Sequence, residues 1–328
     1  SHAMMPAENG GYFLRVASSD LRRADDTRVR TVRDVIIEVD ASGEVVDEWR
    51  LFEILDPNRN IVLKSIDQGA VCLNIDTSQS GKTLSAEQLA KLEAQHAFGD
   101  IAGTGAGRNW AHVNSVDHDP VDDSIILSSR HQSAVVKIGR DKQVKWILAA
   151  PNGWRDGLKD KVLTPVGKDG RPLSCRIGKC EGGFDWTWTQ HTAWKIDELS
   201  KGDIVYVSVF DNGDGRAFVQ PEDQNEKYSR AVVYKIDQKA MTVEQVWEYG
   251  KERGHELYSP ITSSVEYQAD KNSVVVYWAS IGTGSKTGPA PVLTEFRWGE
   301  TKPAFEMHLK GGLGYRALPI DAQKAFVR

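Results

Sequence analysis

The chain has 328 residues, 40% of them hydrophobic, enough to bury a large core as one large domain or two, and its use of Val, Ile, Trp and Gly fits a β-rich protein. A formal net charge of -5 and the lack of a long basic run argue against a nucleic-acid binder, so any anion chemistry depends on a local cluster of cations. No run of about 18 apolar residues is present, so no segment is expected to span a membrane. Residues 1–5 lack the apolar core of a signal peptide, which leaves the compartment open, because the sequence opens inside what reads as a structural unit.

Along the chain one pattern recurs. VIIEVDASGEVVDEW (35–49), AVVKIGRDKQVKWIL (134–148) and AVVYKIDQKAMTVEQVW (231–247) each read as strand, polar turn, strand, with Trp49, Trp146 and Trp247 in equivalent places. VLTEFRWGETKPAFEMHL (292–309) is a degenerate further copy. Ahead of each copy runs an inner stretch: NGGYFLRV, then DDSIILSS, GDIVYVSVF and KNSVVVYWAS. Such units of roughly four strands predict an all-β fold of the β-propeller type over residues 1–328. A β-sandwich is the main rival, less favoured because the period is long and each unit contains its own meander. Residues 84–96 read as a short helical insertion on the surface between the first two units. A propeller needs a complete ring, so the abrupt start predicts that the first blades precede this sequence.

The stretch NWAHVNSVDHDPVDDSIILSSRH (109–131) organises the functional reading. Its residues 124–129 predict a strand and PVDD the turn before it. His112 lies 13 residues before Ile125, and His191, in TWTQHTAW, lies 13 before Ile204. His2 lies 11 before Phe13, and the fourth unit has Ile261 at that phase. Innermost strands of a propeller line its channel, so residues at one phase in successive blades converge, and three histidines could meet there. SHAM could be a tag remnant, but the phase and the PAENGGYFL that follows favour a native histidine at position 2. Adjacent strand residues face opposite ways, so only one of Arg130 and His131 is expected in the channel, and Arg130 is the choice. Histidines with an arginine suit a small anionic group. Zinc on three imidazoles is the competing use, disfavoured because a guanidinium repels a dication and attracts an oxyanion. His118, His255 and His308 are expected to be structural, and His96 solvated.

Other motifs fall short of their chemistry. SGKT (80–83) has Asp76 where a phosphate-binding loop needs glycine, and GTGAGR (103–108) has Arg108 at the third glycine and no βαβ unit around it. FDNGDGR (210–216) lacks the distal glutamate of a calcium loop and reads as a turn. Cys175 and Cys180, five apart in SCRIGKCEGG, are compatible with a small disulfide ring in an oxidising compartment or with two free thiols, and spacing does not choose. Cys72 reads as a small buried apolar residue.

GRNWAHVNSVDHDPVDDSIILSSRHQSAVVKIGRDKQVKWILAAPNGW (107–154) resembles the bacterial arylsulfate sulfotransferase family, the type independent of a nucleotide sulfate donor. TWTQHTAW, FDNGDGR with YSRAVVYKID, and VWEYGKERGHELYSPITSSVEYQAD match it too, so the resemblance covers the chain from His2 onward. It implies a periplasmic homodimer with a six-bladed propeller and an N-terminal β-sandwich, of which this chain would carry about four blades, without the sandwich. By motif, the sulfate-accepting nucleophile falls on His191, the sulfate-binding pair on His112 and Arg130, and a further active-site histidine on His2. Asn114 in NWAHVNS and Tyr315 in GYRAL fall on substrate-binding positions. The resemblance also implies a disulfide between Cys175 and Cys180, and with it a thiol oxidase system as partner. Neither a cofactor nor a metal is expected.

Sulfuryl transfer, like phosphoryl transfer, spreads charge over peripheral oxygens, so positioning and fixed positive charge are its levers. Arg130 can fork two oxygens, His112 and His2 can donate to the rest, and His191 can attack sulfur and release a phenol. A phenolic acceptor then takes the group, with His2 or His112 relaying its proton. Trp186, Trp188 and Tyr315 could wall an aryl ring, whereas Trp194 is expected to pack between blades. The alternatives are a metal-dependent aryl sulfatase and a non-catalytic propeller scaffold.

Overall fold

The computed structural model describes residues 4–16, 34–57, 59, 61–66, 82, 85, 87 and 110–320. The first sheet is the antiparallel meander β1 (Met4–Pro6), β2 (Tyr12–Val16), β3 (Val35–Val39) and β4 (Val45–Arg50). The second is β5 (Val113–Asp119), β6 (Ser124–Ser129), β7 (Ala134–Ile138) and β8 (Val144–Leu148). A short strand β9 (Thr164–Pro165) and a two-stranded hairpin, β10 (Cys175–Arg176) and β11 (Lys179–Cys180), follow. The third sheet is β12 (His191–Lys195), β13 (Ile204–Asp211), β14 (Arg230–Asp237) and β15 (Thr242–Tyr249), with β9 added in parallel outside β15. The fourth is β16 (Ser264–Gln268), β17 (Ser273–Trp278), β18 (Val292–Arg297) and β19 (Phe305–His308).

All four repeat copies fold as expected, as the third and fourth strands of their sheets. Strand β1 touches β5, β5 touches β12, and β12 touches β16, so the first strands of successive sheets gather along one line. The fold is all-β and propeller-like.

Second strands are sandwiched between sheets, which explains why SIILSS and SVVVYW read as unbroken apolar runs rather than alternating ones: every residue of β6 and β17 is buried. Alternation survives as a division of labour. Ile125 and Leu127 pack with Phe13, Ile36 and Trp49 between the first and second sheets, while Ile126 faces Ala193, Val205 and Val207 between the second and third. A third cluster, including Phe210, Val233, Val265, Val276 and Trp278, fills the space between the third and fourth sheets.

The tryptophans common to three repeats join each sheet to the next. Trp49 Nε1 donates to Gly139 O at 3.0 Å, Trp146 Nε1 to Gln238 Oε1 at 3.0 Å, and Trp247 Nε1 to Glu300 O at 2.8 Å. Each acceptor lies in the turn between the third and fourth strands of the following sheet. Burial of the indole and satisfaction of its one donor thus coincide at every junction.

His2, Cys72, His96, Arg108, the SGKT and GTGAGR segments as motifs, and most of the 84–96 insertion lie outside the described residues. Among the described residues no helix is long and apolar enough to cross a membrane.

Candidate active site

His191 is the first residue of β12 and is buried, and the strand bulges directly after it. Its register with β13 shifts between His191 and Ala193, and Thr192 adopts φ 56°. Strand β5 begins in the same way, with a shift between Val113 and Ser115 and with His112 just ahead at φ 45°. A bulge bends the strand and re-aims its side chains. Left-handed backbone at a non-glycine residue costs on the order of 1–3 kcal/mol and persists where the surroundings over-determine it. Gln190 supplies part of that constraint: its amide donates to Ser128 Oγ, Ser129 O and Ala134 O in the second sheet. Its own carbonyl accepts Asn114 Nδ2 at 2.7 Å, which brings Asn114 beside the start of β12.

Nδ1 of His191 lies 2.7 Å from Asn212 Oδ1. Asn212 follows β13 and is fully buried, and its Nδ2 donates to Ser259 O at 2.7 Å and Thr262 O at 3.2 Å. Gly213 must be glycine for the chain to turn here: its φ is 92°, and an added Cβ would lie 2.1 Å from Tyr228 O.

Arg130, also fully buried, donates its backbone N–H to His112 O at 3.2 Å and its Nη2 to Asp214 Oδ2 at 3.2 Å and Pro260 O at 3.3 Å. Its Nε and Nη1 are buried and have no hydrogen-bond partner among the described residues, and the same is true of Asn114 Oδ1. Leaving buried donors unmade costs about 1–3 kcal/mol each, so the two free nitrogens of Arg130 call for an acceptor other than the described residues.

The strand alternation that set Arg130 against His131 does not apply. Arg130–Gln132 is a 3-10 turn with Ser133 left-handed at φ 45°, and the His131 ring lies against the His112 ring with centroids 4.5 Å apart. His131 therefore joins the site from a position that strand reasoning had turned away.

Asp214 holds Arg130 from behind. Its carboxylate accepts from Lys227 Nζ at 2.9 Å and Tyr258 OH at 2.5 Å as well as from Arg130. Burial pushes this carboxyl up, but the charges of Lys227 and Arg130 and the Tyr258 hydroxyl outweigh it and hold it below its ordinary value. Glu222 lies 3.0 Å from Lys227 Nζ, and burial followed by the charge of Asp214 raises it to about 7. Asp211 is engaged by Arg230 at 2.8 Å and Arg216 at 3.0 Å. The carboxylates of FDNGDGR are thus spoken for by cations, and among the described residues no cluster of His, Cys, Asp and Glu is arranged to hold a metal.

The segment after β19 returns to the site. Tyr315 O accepts from Ser263 N at 3.1 Å, and its ring meets the His191 ring edge-on at 6.2 Å. Arg316 donates to Asn114 O at 3.2 Å and lies 5.1 Å over the Trp194 ring. The tryptophans divide differently from expectation. Trp186 and Trp188 are buried in the core between the second and third sheets, while half-buried Trp194 lines a cavity of about 360 Å³ with Met4, Asp117, Glu266 and Arg316. Cys175 and Cys180 form a disulfide across the β10–β11 hairpin. Gly178, in its turn, sits against Trp188, where an added Cβ would lie 2.7 Å from the ring.

The structure therefore gathers His112, Asn114, Arg130, His191 and Tyr315, linked through Gln190, Asn212 and Asp214. The three linking residues escaped the sequence reading, although Asn212 and Asp214 lie in a motif singled out for its turn. Residues 1–316 match the family model described as arylsulfotransferase (ASST). Over 283 residues the chain is 55% identical to the arylsulfate sulfotransferase AssT of Escherichia coli O6:H1 strain CFT073, covering 86% of this chain and 45% of that protein. It is 51% identical to the protein of the same name from Lelliottia amnigena, with the same coverage. The chain thus spans less than half the length of these relatives. A solved member of the DUF4221 family from Bacteroides vulgatus is similar at a TM-score of 0.29 and 9% identity, over 95% of this chain and 82% of that one, a likeness too slight to bear on function. With identity at this level along most of its length, and with the motif residues brought to one place, the chain belongs to the arylsulfotransferase family.

Proposed function

We propose that this chain carries the transfer site of an arylsulfate sulfotransferase, moving a sulfuryl group from an aryl sulfate ester to a phenol through a sulfohistidine at His191. The reading is supported by family membership together with one observation: a buried imidazole, oriented through Nδ1, in the same buried network as a guanidinium that keeps Nε and Nη1 uncommitted among the described residues. Nε2 of His191 attacks sulfur, the S–O bond to the aryl group breaks, and phenolate leaves with the electron pair. The acceptor phenol then passes its proton to solvent by way of His112, its oxygen attacks sulfur, and the N–S bond breaks with its electron pair returning to His191. Arg130 and His112 are assigned to the sulfuryl oxygens, whose charge grows in the transition state, and the uncommitted Oδ1 of Asn114 to accepting from the phenol hydroxyl. Tyr315, edge-on to His191, is assigned to the aryl side.

We further propose a periplasmic address, in line with a disulfide that persists in an oxidising compartment and would be formed by a thiol oxidase system, and a homodimeric full-length protein.

The test combines a chromogenic aryl sulfate, with and without added phenol, and mass spectrometry of the His191 peptide at neutral pH. Phenol-dependent turnover with one added sulfuryl group on His191 is expected. His191→Asn is expected to abolish turnover while still binding the donor; full turnover by this variant would remove His191 as the nucleophile.

A further inference from the structure

We infer that Asn212 is a positioning residue that fixes the tautomer of His191, and that its being an amide rather than a carboxylate keeps the sulfohistidine ready to discharge. The inference rests on the proposed transfer through His191. Its first half concerns the resting protein and is testable without a substrate.

A side-chain amide has one end that only accepts and one that only donates. Ser259 O and Thr262 O, both carbonyl acceptors, lie 2.7 and 3.2 Å from one end of Asn212. That end must be the NH2, since turning the amide over would set an oxygen against two oxygens. The other end, 2.7 Å from His191 Nδ1, is then the carbonyl oxygen and can only accept. Nδ1 must carry the hydrogen, and in the neutral imidazole the lone pair is left on Nε2.

The surroundings hold this orientation. Asn212 O accepts from Ser229 Oγ at 2.8 Å, the same oxygen lies 3.2 Å from Ser259 O, and Ser259 N donates to it at 2.9 Å. The next residue, Gly213, is pinned by its N–H to Trp188 O at 3.0 Å. A side chain held by two carbonyls, on backbone held from both sides, cannot easily turn over or withdraw.

The second half follows from charge balance. Neutral His191 bearing hydrogen on Nδ1 attacks an aryl sulfate monoanion through Nε2. The product is a sulfonated imidazolium, positive on the ring and negative on the sulfuryl group, together with a phenolate. In the second step the N–S bond breaks and its electron pair returns to Nε2, so neutral imidazole is the leaving group. A carboxylate beside Nδ1 would stabilise the cationic ring and make it a poorer leaving group. An amide oxygen orients the same N–H without adding a charge. Where a histidine must itself take up a proton, as in serine hydrolases, a carboxylate in this position helps; here the ring must let go of a sulfuryl group.

The experiment uses the full chain labelled with nitrogen-15 in histidine. Long-range proton–nitrogen correlation near pH 7.5 reads the tautomer, with His191→Asn assigning the signal. The expected result is a protonated Nδ1 and a bare Nε2; hydrogen on Nε2 would overturn the inference whatever the enzyme does. Asn212→Leu should mix the tautomers and slow single-turnover loading of His191 by about 10- to 100-fold, with little change in the donor concentration giving half-maximal loading. Asn212→Asp keeps the acceptor toward Nδ1, although its second oxygen then faces Ser259 O and Thr262 O; it should load faster than Asn212→Leu, discharge to phenol more slowly than the parent, and move the acidic limb of the loading profile to higher pH. A residue that merely braces the Ser259–Thr262 turn would move neither the tautomer nor the profile, and loading by Asn212→Leu at the parent rate would also overturn the inference. Absence of any sulfuryl label on the parent His191 would instead reject the transfer reading and leave the tautomer result standing.

Discussion

Glu222 is joined to Arg130 through Lys227 and Asp214. Burial and the charge of Asp214 raise it to about 7 from its ordinary 4.5. The sign follows from proton counting. Below pH about 4.5 both folded and unfolded chains carry the proton, and between about 4.5 and 7 the unfolded chain releases it first, so this group lowers stability as pH rises through that window. Above pH 7 the penalty is constant, on the order of 3 kcal/mol. Glu222→Gln is therefore expected to match the parent in thermal stability near pH 4.5 and to exceed it at pH 8; an equal difference at both pH values would mean the carboxyl is not raised. None of this could be read from the sequence. Asp214, Glu222 and Lys227 share one stretch of the chain, but Arg130 lies 84 residues from Asp214 and meets them only because the second and third sheets present their turns to one another. His191, His112 and Arg130 were legible because each sits in a long motif tied to a strand, whereas Asn212 looked like any turn asparagine.

At the scale of elements, the strands were legible wherever β-branched residues run between polar turns, and the tryptophan in three of the four outer strands marked the repeat. The elements that escaped were those whose form is set by neighbours. The Arg130–Gln132 turn follows a run that looks like continuing strand, yet it closes as 3-10, with Gln132 Nε2 donating to Trp110 O at 2.9 Å and to Arg59 O at 3.1 Å. Likewise, the bulges at the starts of β5 and β12 are visible only in the pairing register. The indole contacts give an element-level prediction. Trp146→Phe keeps a buried ring but removes the donor to Gln238, which retains Lys137 Nζ at 2.8 Å. The expected loss is about 1 kcal/mol, read as a lower urea midpoint, with turnover of the chromogenic aryl sulfate unchanged. A midpoint equal to the parent's would show that the junction is held by packing alone.

Over the whole molecule, composition announced a β-rich chain and the repeat announced its architecture, because a unit that cannot bury its own faces has to stack on copies of itself. What composition could not announce is how the far end takes part. The segment carrying Tyr315 and Arg316 runs from the fourth sheet back to the starts of the second and third, and no periodic pattern marks residues 311–320. The tryptophans of the outer strands also set where this chain can lengthen. Because an indole from one sheet docks on the last turn of the next, that turn is measured from outside, and an extra residue in it would disturb two sheets at once. The passages from one sheet to the next lie away from these docking points. One of them, from Leu148 to His191, already accommodates β9 and the disulfide hairpin. Growth by insertion is thus steered into the inter-sheet passages, and the second of these is the one that delivers His191.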